Sequence, residues 1–168
     1  MSSRIAKSIT ITAFAAALAA CSSVPLDQTG TGTGTGTGVG SDSTPGQVMD
    51  PFNPQSPLAQ QRSVYFEFDS YTVPEQYRNL VEMHSSYLTG NTQQNIRIEG
   101  NADARGGSEY NLALGQRRSD AVARMMALLG VNSAQIEAVS FGKERPKAMG
   151  NTEADYAENR RADIVYQR

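Results

Sequence analysis

From about residue 63 onward, the chain alternates between two hydrophobic rhythms. Ser63-Val-Tyr-Phe-Glu-Phe68 is aromatic and β-branched and predicts a strand. Asn95-Ile-Arg-Ile-Glu-Gly100 places Ile96 and Ile98 on one face at a period of two, which predicts a second. Gln135–Phe141 and Ala162–Gln167 read as a third and a fourth. Between the strands the period lengthens. Tyr77, Leu80, Val81, His84 and Leu88 recur at helical spacing behind Pro74, which can open a helix, and Gly90 can end it. A longer helix is expected from about Glu109 to Leu129, closed by Gly130, with Leu114, Val122, Met125 and Leu129 along its apolar stripe. After a loop containing Gly142, Pro146 and Gly150, Thr152-Glu-Ala-Asp-Tyr-Ala can start a short helix. The order β-α-β-α-β-(α)-β predicts an α+β sandwich over residues 63–168, with one mixed sheet and helices packed on one face.

Upstream the pattern changes twice. Arg4 and Lys7 precede an almost wholly apolar or small run, Ile9–Ala20. That run is shorter than the ~20 residues a spanning helix needs and reads as a secretory signal over residues 1–20. It ends in Leu18-Ala19-Ala20-Cys21, and Cys21 is the one cysteine of the chain, so no internal disulfide can form. Small residues followed by Cys resemble a bacterial lipobox. The resemblance implies cleavage before Cys21, acylation of Cys21 and anchoring by its acyl chains. Ser22 in the next position points to the outer membrane, with the domain facing the periplasm. From Ser22 to about Arg62 the chain is rich in Gly, Thr, Ser, Pro and Asp, and Thr29–Gly38 alternates Thr with Gly. Residues 21–62 are therefore expected to form a lipidated, disordered tether of roughly 35 Å root-mean-square span, stiffened near its end by Pro51, Pro54 and Pro57.

The 168 residues, 39% hydrophobic and 19% charged, suit one modest domain plus a less structured part. The formal charge of -2 falls to about -4 once Arg4 and Lys7 are removed, which argues against nucleic acid and against binding anionic lipid by charge alone. With the cysteine committed to lipid and one histidine in the chain, Cys-His catalysis and a multi-His zinc site are excluded. A glycosidase built on paired carboxylates is not excluded by composition, but no pattern places two acids on one cleft. No enzyme activity, cofactor or metal is expected.

The second predicted helix holds a local conflict. Asn111 and Arg118 fall on its apolar stripe. A guanidinium in line with a core face must find an opposite charge or escape to water. Either the stripe leaves the core and Arg118 snorkels, or Arg118 faces a groove and can hold a carboxylate through its planar fork. Arg117, one step round, should be solvated. Asp103 lies in the loop before this helix, ahead of Gly106 and Gly107, as a turn residue or as a binding group. Together Asp103 and Arg118 would suit a zwitterion.

Ile98-Glu-Gly-Asn-Ala-Asp-Ala-Arg-Gly106 and Glu109-Tyr-Asn-Leu-Ala-Leu-Gly-Gln-Arg-Arg118 resemble the peptidoglycan-binding motif of OmpA-like C-terminal domains. Tyr65-Phe-Glu-Phe-Asp-Ser-Tyr71, Phe141-Gly-Lys-Glu-Arg-Pro146 and Asn159-Arg-Arg-Ala162 match the family's flanks in order. The resemblance implies a wall-binding protein whose ligand is the meso-diaminopimelate of uncrosslinked peptidoglycan stems. It assigns Asp103 to the ammonium, Arg118 to the carboxylate, Asn111 to the lining, Phe68 and Asp69 to the border, and the pair Arg160 and Arg161 to the vicinity. The lipobox, the tether and the flanking segments are most similar to the lipid-anchored branch that works with TolB, and with other Tol or outer-membrane proteins, in the Tol-Pal system; a wall-tethering lipoprotein outside that system is the alternative. Asn101 stands where many members carry His, and His84 is expected to be a satisfied core histidine.

Overall fold

The computed structural model describes residues 49–168, so the expected signal, Cys21 and the Thr-Gly tract lie outside the described residues. Four strands, β1 (Ser63–Tyr65), β2 (Ile96–Asn101), β3 (Ile136–Gly142) and β4 (Arg161–Tyr166), form one sheet in the order β1-β4-β2-β3. β4 runs antiparallel to both β1 and β2, whereas β2 and β3 are parallel. A parallel pair needs a crossover, and α3 (Ser108–Leu128) supplies it. The other helices are α1 (Pro57–Gln60), α2 (Arg78–Gly90) and α4 (Glu153–Asn159). The expected mixed sheet with helices on one face is what forms.

Alternation along the strands decides which face is covered. Ile96 and Ile98 of β2 and Ala162, Ile164 and Tyr166 of β4 enter one core with Leu80, Val81 and Leu88 of α2 and Val122 and Met126 of α3. Arg161 and Asp163 alternate onto the other face. Along α3 the expected Leu114 and Val122 are buried and Met125 packs against the core, but Met126 is the fully buried residue of the last turns, and Leu129, next to the Gly130 turn at φ +96°, is exposed. β1 is shorter than expected. Phe66 N–H still donates to the Arg160 carbonyl at 2.8 Å, but the chain then turns, with Ser70 N–H bonded to the Glu67 carbonyl and Asp69 at φ 54°. That turn takes Phe68 and Asp69 out of the sheet.

Two glycines let α3 lie directly on the sheet. A Cβ on Gly100 would overlap the Gly115 carbonyl oxygen, and one on Gly115 would meet Ser140 Oγ and the Gly100 carbonyl. The backbones touch where side chains would hold them apart.

The expected boundary between residues 62 and 63 is corrected upstream, to near residue 50. Leu58 of α1 is fully buried, and Ser56 caps this short helix by accepting from Leu58 N–H. Arg62 Nε donates to the Leu58 carbonyl, and the Arg62 guanidinium lies 5.6 Å over the Tyr166 ring. His84 closes the join. Its Nε2 lies 2.7 Å from the Gln61 carbonyl and its Nδ1 2.8 Å from the Tyr166 hydroxyl. A carbonyl can only accept, so Nε2 carries the proton and Nδ1 accepts from Tyr166. His84 is thus a satisfied core histidine, as expected, and it also pins the incoming segment. The Pro-rich composition hid this, since a single buried leucine has no periodicity to read.

Two consequences are testable. Gly100→Ala or Gly115→Ala should each destabilise the domain by about 1–3 kcal/mol through backbone displacement, read as a lower urea midpoint; an unchanged midpoint would contradict the close contact. Burial lowers the His84 pKa to about 4 from 6.5, with the Gln61 hydrogen bond opposing and the Arg62 charge adding to the shift. Below about pH 6.5 the unfolded chain takes up this proton before the folded one, so stability falls as pH drops through that window and is level above it. Between pH 7 and 4.5 the loss from this group is about 2–3 kcal/mol, and urea titrations of His84→Gln should lack it.

Candidate functional site

The turn after β1, the end of β2 and the start of α3 meet around a cleft of about 250 Å³. Asp103, Asn111, Arg118, Phe68 and Asp69 all line it. Each reaches it for a local reason. Ala102 N–H donates to the Gly142 carbonyl at 2.7 Å, which ties the exit of β2 to β3. Asp103 then accepts from the Arg105 N–H through Oδ1 at 3.1 Å, a side chain closing its own turn. Gly106 takes φ +86°, and Asn111 Nδ2 reaches back to the Arg105 carbonyl at 2.8 Å. Asn111, buried on the first turn of α3, therefore holds the loop that presents Asp103.

Arg118 is fully buried and does not snorkel. Its Nε donates to the Ser70 carbonyl at 2.8 Å, Nη1 to the Asn101 carbonyl at 2.8 Å and Nη2 to the Glu67 carbonyl at 3.3 Å. Phe66 lies beneath it, 5.2 Å from the guanidinium carbon. Three of the five N–H donors are bonded to main chain, which leaves two uncommitted. Burial, helped by the nearby Arg160 charge, pushes the Arg118 pKa down to about 10, while Asp103, Asp69 and Tyr110 oppose it. The guanidinium is still charged at neutral pH. Arg117 is exposed, as its position predicted, and packs near Tyr71.

Asp103 is 5% exposed. Burial alone would raise its pKa, but the hydrogen bonds and charge of Arg105, with a smaller contribution from Arg160, outweigh burial and hold the carboxyl below the usual carboxylate range. Arg160 arrives from behind: Nη1 lies 2.8 Å from Glu153 Oε1 and 3.5 Å from Asp103 Oδ2, and Nε donates to the Phe66 carbonyl. Arg161 is not brought to the cleft. It sits on the opposite face of the sheet, bonded to Asp163 at 2.9 Å and to the Arg145 carbonyl. Period-two alternation of β4 separates the pair. Asn101 divides its roles: its carbonyl serves Arg118, while its buried side chain donates to the Glu99 carbonyl and approaches Asp163.

Several residues of this site escaped the sequence reading. Tyr110 donates its hydroxyl to Asp69, whose hydrogen bond, together with burial, raises the Tyr110 pKa. Arg105 pairs with Asp103, and Glu153 and Tyr156 in turn contact the Arg105 guanidinium. Arg105 and Glu153 lie outside the apolar pattern, and Glu153 and Tyr156 are distant in sequence, so no periodicity marked them. The acid that starts α4 was visible only as a helix-opening residue behind Thr152, whose hydroxyl and Asp155 form a capping box.

The chain is similar in sequence and fold to known proteins. The OmpA family model matches residues 65–160. The peptidoglycan-associated lipoprotein of Pasteurella multocida is 34% identical over 97% of this chain and 99% of its own length, and that of Haemophilus influenzae is 36% identical over the same shares. The crystal structure of the peptidoglycan-associated lipoprotein from Burkholderia pseudomallei superposes with a TM-score of 0.68 at 59% identity, covering 70% of this chain and 98% of that one. The family's matched span contains every residue that lines the cleft, and the chain belongs to the OmpA family, among its peptidoglycan-associated lipoproteins.

Proposed function

We propose that this chain is a non-enzymatic wall tether of the outer membrane whose cleft binds the distal end of meso-diaminopimelate in uncrosslinked peptidoglycan stems. The observation that carries this reading is the pairing of opposite charges in one cleft: a buried carboxylate on Asp103 and a buried guanidinium on Arg118, both facing the same space. An ammonium and a carboxylate on one carbon fit that pair. Asp103 accepts from the ammonium, and the two remaining donors of Arg118 take the carboxylate as a fork. Phe68 and Asp69 border the ligand, Asn111 keeps the Asp103 loop in place, and Arg160 holds Asp103 from behind. Arg161 has no part in the cleft.

The relatives' shared name supports wall association, and none of them is named as an enzyme. Among the described residues, no helix is long and apolar enough to cross a membrane. The lipobox-like segment assigns anchoring to Cys21 and its acyl chains after removal of residues 1–20, with the stretch from Cys21 to about residue 49 as the spacer. Many anchored copies on one wall give avidity from individually reversible contacts. TolB is the expected protein partner within the Tol-Pal system, and its co-purification from envelope extracts separates this assignment from an independent tether.

Sedimentation with purified diaminopimelate-type peptidoglycan tests the cleft. Residues 49–168 should pellet with the wall. Asp103→Asn, which keeps the shape and removes the charge, should weaken binding by about tenfold to hundredfold while the circular dichroism spectrum is unchanged, and Arg118→Lys, which keeps the charge but loses the fork together with main-chain hydrogen bonds, should weaken it at least as much and also lower the urea midpoint. Pelleting of both variants at wild-type level would place the wall site elsewhere.

A further inference from the structure

Asp103 already has a cation. Arg105 lies along it, with Nη2 at 2.6 Å from Oδ2 and Nε at 3.2 Å from Oδ1. The Arg105 N–H also donates to Oδ1, and Arg160 Nη1 stands 3.5 Å from Oδ2. A carboxylate offers about four acceptor positions, so these contacts fill it. An incoming ammonium must displace one of them. The backbone N–H is fixed by the turn. Arg160 is 7% exposed and anchored at the Phe66 carbonyl and Glu153. The Arg105 side chain is the remaining choice, and it is 37% exposed.

Arg105 also has somewhere to go. Its guanidinium sits between two aromatic rings, 4.4 Å from the centre of Phe68 and 4.3 Å from that of Tyr156. On its far side Nη1 lies 3.2 Å from Glu153 Oε2 at the start of α4. Rotation within this sandwich can give up Asp103 while keeping the rings and a second carboxylate.

We propose that Arg105 is a built-in competitor that occupies the ammonium site of the empty cleft and is displaced onto Glu153 when a zwitterionic ligand binds. This rests on the wall-ligand reading above. Its consequence is selectivity. A plain carboxylate can meet Arg118 but leaves Arg105 in place. A plain amine must displace Arg105 without the compensating contact at Arg118. A group carrying both charges on one carbon does both at once. The ligand's apparent affinity is scaled down to the fraction of clefts that Arg105 leaves free, so removing Arg105 should raise it.

Calorimetric titration of the full-length protein in detergent with the tripeptide L-Ala-γ-D-Glu-meso-diaminopimelate tests this. The tripeptide is net negative at neutral pH, so loss of a cation from the cleft would by simple charge weaken binding. Arg105→Gln is expected to bind about fivefold to tenfold more tightly than wild type, and Glu153→Gln several-fold more weakly because the displaced Arg105 has lost its second carboxylate. Equal or weaker binding by Arg105→Gln overturns the competitor while leaving the cleft assignment intact, provided wild type binds and Asp103→Asn does not. Failure of wild type to bind at all, with Asp103→Asn no different, overturns the wall-ligand reading and the competitor with it.

Discussion

A buried guanidinium organises this domain. Arg118 places a full charge inside the fold and neutralises the penalty with main-chain carbonyls from two separate segments: Glu67 and Ser70 in the turn after β1, and Asn101 at the end of β2. Hydrogen bonds to a charged group are each worth about 1.5–3 kcal/mol, and leaving such a group unpaired would cost more than it contributes. The arrangement depends on how closely α3 approaches β2. Gly115 lies against Gly100, and Arg118 follows three residues later on the same face of the helix. Long helical side chains point back toward the helix N-terminus, so Arg118 reaches from that contact toward the cleft. The two small residues and the one large cation form a single device. It draws the turn that carries Phe68 and Asp69 onto the start of α3.

The cleft that results is balanced in charge. Arg105, Arg118 and Arg160 stand against Asp69, Asp103 and Glu153, and the acids are tied to neighbours: Asp69 to Tyr110, Asp103 to Arg105, Glu153 to Arg160. A neutral network of this kind gains little from a bare ion of either sign. It can accept a group that brings both signs by exchanging one internal pair for another. Burial is unevenly shared: Asp103, Arg118 and Arg160 are buried, Arg105 is half-buried, and Phe68 and Glu153 are exposed. The buried set fixes where charge sits, and the others can move. The surrounding fold extends further than the sheet requires, since α1 and Gln61 close over His84 and Tyr166 at the far end of α2's packing surface.

Strands and long helices were legible because their periods differ, and the α+β order follows from those periods. The conflict at Arg118 was legible too, since a cation on an apolar stripe must be resolved somehow. Spacing alone left open whether it snorkels or is buried. Only the turn at Ser70 and the end of β2, segments with no shared pattern, decide it. Asp103 could be placed in the right loop, but the pairing of its neighbour Arg105 with Glu153 could not, because 48 residues separate those two and neither marks a face. The Arg160–Arg161 pair shows the opposite limit: adjacent residues near a strand start look alike in sequence and end on different sides of the sheet. The true start of the domain was hidden by proline-rich composition, where burial rests on Leu58 and one histidine contact rather than on a repeat.

The central claim is that the cleft reads two opposite charges on one carbon. The most direct measurement is an NMR titration of ¹⁵N-labelled residues 49–168 with two tripeptides that differ only at the third residue, meso-diaminopimelate in one and L-lysine in the other. Lysine keeps the distal ammonium and lacks the distal carboxylate. The account predicts saturable shifts concentrated at Phe68, Asp69, Asp103, Arg105 and Asn111 for the diaminopimelate peptide, and binding at least about tenfold weaker for the lysine peptide. Equal affinity for the two, or shifts centred away from these residues, would contradict it.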